Sequence, residues 1–86
     1  MHRMKPLTYK SSDDYFTITE KIVNNTVIVR YLFSTPIYGI EDFWSESTYN
    51  MKGQLIGYDN AIGDSIDYTE KPVTVITPPR ILNGNE

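Results

Sequence analysis

Eighty-six residues with no cysteine make a single domain with a small core, and exclude both disulfide staples and a thiolate metal site. Seven Tyr, three Phe and one Trp supply large side chains that suit half-buried strand positions or a rigid contact surface. The net charge of −3 is unevenly spread, from +3 over residues 1–12 to −6 over residues 41–70, which disfavours direct nucleic-acid binding by the folded part and favours a basic partner.

Residues 1–13 carry Arg3, Lys5 and Lys10, lack periodicity and contain Pro6, so they read as a flexible basic arm or an edge segment ahead of a β-rich domain over 14–78. The start has no apolar run and no small-residue cleavage site, so it does not read as a signal peptide. The apolar run Val27–Val29 ends at Arg30, too short for a membrane span, and the cytoplasm is the default compartment.

The runs YFTITEKIV and TVIVRYLF, separated by Asn24-Asn25, spell a β-hairpin with a two-residue turn, because Asn tolerates positive φ. That turn sets a register in which Val23 faces Thr26, Ile22 faces Val27, Glu20 faces Val29, Ile18 faces Tyr31 and Phe16 faces Phe33. One face then gathers Phe16, Ile18, Ile22, Val27, Val29, Tyr31 and Phe33 for the core. The second strand is apolar on both faces and reads as central in its sheet, ending before Pro36.

Residues 37–48 fit two patterns: a short helix around 39–48, from Ile40, Phe43, Trp44 and Ser47, or a strand with Phe43 inward. Beyond them Tyr49, Met51, Gly53 and Leu55 alternate with polar residues, and 65–70 and 73–77 read as further short strands. Pro78-Pro79 stops the last one, leaving 79–86 as a polar tail. The fold class is mainly β: a small antiparallel meander with at most one short helix.

Turn residues cluster twice between Tyr49 and Tyr68, as Asn50 with Gly53 and as Asp59-Asn60 with Gly63-Asp64. The pattern Tyr49-Asn50, Gly53-Gln54-Leu55, Ala61, Gly63-Asp64 and Tyr68 resembles one copy of the RHS or YD repeat, with Asn50 where Asp is usual and Gln54 where Arg is usual. The resemblance covers residues 49–68 and implies local β-hairpin geometry alone. It places turns at Met51–Gly53 and Ala61–Asp64, with Leu55, Ile66 and Tyr68 toward the core.

The single histidine, His2, sits in the arm, where nothing holds it within reach of a nucleophile. Carboxylate pairs drawn from Glu41 or Glu46 with Asp64 or Asp67 would need a deep cleft of ~300 Å³ or more, which so small a core does not offer. Asp59, Asn60, Asp64 and Asp67 lack the alternating spacing of a calcium loop and read as turn formers. No phosphate-loop, dinucleotide or nucleophile-elbow motif is present, so the chain reads as no enzyme, with no metal and no cofactor.

The expected function is that of a non-enzymatic acidic binding module. Small acidic proteins of the inhibitor or immunity type, among them phage or mobile-element anti-defence proteins such as anti-CRISPR and antirestriction proteins, occupy a basic surface of a nucleic-acid-handling partner. The expected contact residues are Glu41, Asp42, Phe43, Trp44, Glu46, Tyr58, Asp59, Asp64 and Asp67, acids with aromatic anchors among them. The alternative is a structural module, a virion or β-repeat component, that self-associates or completes a larger sheet.

Overall fold

The computed structural model describes residues 7–82; the part of the basic arm before Leu7, with His2, and the tail beyond Leu82 lie outside the described residues. Six strands follow one another across a single antiparallel sheet in chain order: β1 Thr8–Ser12, β2 Phe16–Val23, β3 Thr26–Phe33, β4 Trp44–Asn50, β5 Leu55–Asn60 and β6 Ile66–Asp67. The hairpin forms as its turn demands. Asn24 and Asn25 both take positive φ (49° and 62°), and every cross-strand pair from Val23↔Thr26 to Phe16↔Phe33 falls in the expected register. β3 is central, flanked by β2 and β4.

Three stretches resolve an open reading or depart from expectation. Thr8–Ser12, inside the segment read as an arm or an edge segment, pairs along β2 as an edge strand. No helix forms over 39–48: Tyr38, Gly39 and Asp42 all take positive φ, and the chain makes a tight Ile37↔Ile40 bridge before entering β4. Phe43 points inward there, at 5% exposure. The third difference is the C-terminal segment. Instead of fraying, Pro78–Leu82 lies across the apolar face and ends in a 3-10 turn, Arg80–Leu82, that packs on β1 and β2.

That segment acts as a strap. Ile81 is 2% exposed and joins Val27 and Val29 as the core, with Ile18, Ile22, Tyr31, Tyr49 and Leu82 against it. Glu20 lies on the same face, opposite Val29, and is itself buried. Its carboxylate accepts the N–H of Arg80 (3.1 Å) and of Ile81 (2.8 Å), the free donors at the start of the 3-10 turn. The other end of this face is closed by rings: Phe16, Tyr31, Phe33, Phe43 and Tyr38 meet edge-on or stacked at centroid distances of 5.1–6.4 Å. The strap stops short of β6, so Ile66 is exposed, a correction to its expected packing, while Leu55 and Tyr68 are half-buried.

Both later turns use one device. Asn50 Oδ1 accepts the N–H of Lys52 and of Gln54, and Asn60 Oδ1 accepts that of Ile62 and of Asp64. Each Asn carbonyl also takes the N–H of a glycine three residues on, Gly53 or Gly63, whose φ of 84° or 94° closes the turn. Past β6 the chain turns and touches β5 again through the Leu55↔Val73 bridge, in place of the strand expected over 73–77.

Ile81→Ala is expected to destabilise the fold by ~2–5 kcal/mol and Val29→Ala by ~1–3 kcal/mol, through lost burial and residual cavities. Glu20→Ala, which strands one buried and one part-buried N–H group, is expected to cost ~1–3 kcal/mol. Urea denaturation followed by Trp44 fluorescence measures all three; an Ile81→Ala protein as stable as the parent would show that the strap is not part of the folded unit.

Candidate functional site: an acidic groove on the open face

Strand alternation puts the residues between the core positions on the opposite, uncovered face of the sheet. The β3–β4 and β4–β5 registers place Arg30 opposite Glu46, Glu46 opposite Asp59, and Thr48 opposite Gly57, and β6 adds Asp67 beyond Gly57. Because Gly57 has no side chain, a gap opens among Glu46, Thr48, Asp59 and Asp67. The result is an open groove of about 530 Å³, with Tyr58, Ser65 and Thr69 also on its walls.

The acids of this groove are held rather than loose. Glu46 is half-buried and accepts a 2.7 Å charged hydrogen bond from the Arg30 guanidinium, which also lies 4.6 Å from the centroid of the Trp44 ring. Asp59 Oδ1 accepts the Asn60 N–H at 2.9 Å and the Ser65 hydroxyl at 3.0 Å. Asp67 Oδ1 accepts the N–H and the hydroxyl of Thr69, at 2.8 and 2.7 Å. These two bonds, the backbone one foremost, hold the Asp67 carboxyl below its ordinary value. Among the described residues no three or more His, Asp or Glu side chains are grouped to hold a metal ion.

The structure thus brings together three of the sequence-derived acids, Glu46, Asp59 and Asp67, with Trp44 one rung away. Tyr58 borders the groove between Gly57 and Asp59, but its register opposite Ser47 sets its side chain on the core face. Tyr58 is tied down too, its hydroxyl accepting from Asn60 Nδ2 at 3.2 Å. Glu41, Asp42 and Asp64 stand exposed on loops outside the groove lining. Phe43 is withdrawn altogether, buried against Phe33 and Tyr38, and offers no surface for contact. Sequence reasoning missed the groove floor at Gly57 and the polar wall of Thr48, Ser65 and Thr69. It also missed the Arg30–Glu46 pair, which depends on the β3–β4 register.

No protein-family model matches the chain, and no match was found among curated proteins or solved structures. The groove is therefore read on its own chemistry.

Two measurements follow. In an NMR titration the Asp67 carboxyl should ionise below the ordinary Asp range, and Thr69→Val should move it part of the way back up. A folded-state value held down stabilises the fold above the unfolded pKa, and that contribution is lost as pH falls through the folded one; a Thr69→Val protein with an unchanged Asp67 titration would refute the assignment. Gly57→Ala should fold without penalty and gain up to ~1 kcal/mol in urea denaturation, since it restricts the unfolded chain. Its Cβ would meet Thr48 Cβ at 3.7 Å and the Ile66 carbonyl at 3.8 Å, both ordinary contacts.

Proposed function

We propose that this chain is a non-enzymatic protein-binding module of the inhibitor or immunity type, acting in the cytoplasm, whose acidic groove seats a basic surface of a nucleic-acid-handling partner. The observation that supports it most is the gathering of Glu46, Asp59 and Asp67 around one groove on a face that carries none of the core. Holding like charges close costs free energy in self-repulsion, and a Lys or Arg entering from a partner relieves that cost on binding. Trp44, half-buried beside the groove with its ring already stacked by Arg30, supplies an aromatic contact of the kind that dominates interface energies. The groove lies open on the sheet, which suits a partner's side chains better than the enclosed chemistry of an enzyme.

The test is a pull-down with the full chain, then association kinetics of the captured partner over a salt series. The triple variant Glu46→Gln, Asp59→Asn, Asp67→Asn keeps hydrogen-bonding capacity at each position and should fold. It should associate roughly tenfold more slowly and lose most of its salt dependence, because exposed charges steer encounter over a screening length of ~8–10 Å. A folded triple variant that keeps full affinity and full salt sensitivity would overturn the reading.

A further inference from the structure

The register across the open face arranges charge in a way that net charge conceals. Lys10 lies opposite Thr19, Thr19 opposite Arg30, Arg30 opposite Glu46, and Glu46 opposite Asp59, one straight rung over five strands. Lys21 stands on the neighbouring rung, which runs through Ile28, Thr48 and Gly57 to Asp67. The cations of this face therefore belong to β1–β3 and the acids to β4–β6, with Ile28, Leu32 and Trp44 between them. Leu32 is 43% exposed and Ile28 half-buried, so apolar side chains flank the Arg30–Glu46 pair along this middle strip.

We infer that the open face is a self-complementary interface, and that its occupant is a second copy of this chain. A two-fold axis parallel to the strands, midway between β3 and β4, lays β1–β3 of one copy over β4–β6 of the other. Each charged rung then meets itself with the signs reversed: Lys10 and Lys21 face the acidic half, and Arg30 faces the second copy's Glu46. At the axis Ile28, Leu32 and Trp44 meet the same side chains of the second copy on either side of the Arg30–Glu46 rung. This is the isologous geometry of a closed dimer, and it gives the sheet the second layer it lacks on this side. Two sheets packed this way sit about 10 Å apart with their strands within roughly 30° of alignment. The six strands, two to eight residues long, cover ~570 Å² per copy at ~3.3 Å rise and ~4.8 Å spacing, about 1,100 Å² in total, which clears the ~1,000 Å² a specific interface needs. At that size the dimer is weak and sensitive to salt.

The inference goes beyond the acidic groove as a seat for a foreign partner, because it needs the cations of β1 and β2, which such a partner would not touch. The experiment uses charge exchange. The full chain is compared with Lys10→Glu/Lys21→Glu and with Asp59→Lys/Asp67→Lys by sedimentation equilibrium, with folding checked by circular dichroism. The parent should dimerise at low salt with a dissociation constant that rises about tenfold or more by ~0.5 M salt. Each exchanged variant alone should be monomeric, and a one-to-one mixture should restore a heterodimer. Leu32→Asp, an exposed apolar position at one end of the strip and outside the core, should abolish dimerisation. A parent that stays monomeric at low salt, an association that grows beyond two copies, or a dimer indifferent to Lys10→Glu/Lys21→Glu and to Leu32→Asp would each overturn the inference. Loss of the dimer in Lys10→Glu/Lys21→Glu with unchanged capture of a basic partner would separate this interface from the one proposed above.

Discussion

Everything in this fold depends on the carboxylate of Glu20. A single antiparallel sheet must bury one face, and among the described residues neither a second sheet nor an α-helix packs on it. The cover is a five-residue strap, Pro78–Leu82, too short to bury itself by its own hydrogen bonds. Its free N–H groups at Arg80 and Ile81 find their acceptor in Glu20, a charged residue set in the middle of an apolar row. Neither side is tolerable alone. The carboxylate without the strap would be a charge on an apolar face, and the strap without the carboxylate would leave two donors unpaired. Together they fix Ile81 between Val27 and Val29, set Pro78 against the turn at Gly53, and bring the Arg80 guanidinium over the Tyr9 ring.

The sequence pattern reads well where contacts are local and periodic. The β2–β3 register follows from a two-residue loop and a period of two, and both Asn-x-x-Gly turns follow from side chains that bond their own backbone. It reads poorly where the deciding contact is distant. Nothing near Ile81 marks it as a core residue; its partners lie about sixty positions back, and its setting of Pro, Arg and Asn resembles a frayed end. The same limit hid the role of Glu20, which breaks the apolar pattern for a reason located at the other end of the chain. Around residues 39–48 the spacing of Phe43 and Trp44 satisfied two periods at once. The positive φ values at Tyr38 and Asp42 exclude a helix; Tyr rarely adopts that region, and Asp42, of a type that does so more readily, equally suits a first helical turn. The candidate site was legible as a composition, acid-rich with aromatics, but its members were not. Which acids share a face depends on the β3–β4 register, set by a connection whose geometry no short-range rule supplies. Hence Glu46, Asp59 and Asp67 gather while Glu41, Asp42 and Asp64 do not.

Topology turns the charge order of the sequence into a charge map. In a Greek key, the strands of a chain with this charge order would be shuffled in space and the segregation lost. A meander keeps sequence order as spatial order, so a chain that is basic at one end and acidic in its second half becomes a sheet with a basic side and an acidic side. The net charge of −3 is a poor guide to what such a surface does. The rung from Lys10 to Asp59 is a better one, because fields at contact distance are set by nearest charges and distant ones are screened.

Alternation then separates stability from surface chemistry. Nearly all the burial lies on the face under the strap and the aromatic cluster, so residues on the other face are released from packing and can carry charge, a groove and a half-exposed Trp at little cost to the fold. Gly57 makes the division visible. In a strand it contributes nothing to packing and weakens the backbone preference, yet its Cβ would meet nothing closer than 3.7 Å. A larger residue would be accommodated and would stabilise. The empty position leaves the groove open between Glu46 and Asp67, on the face that carries none of the core.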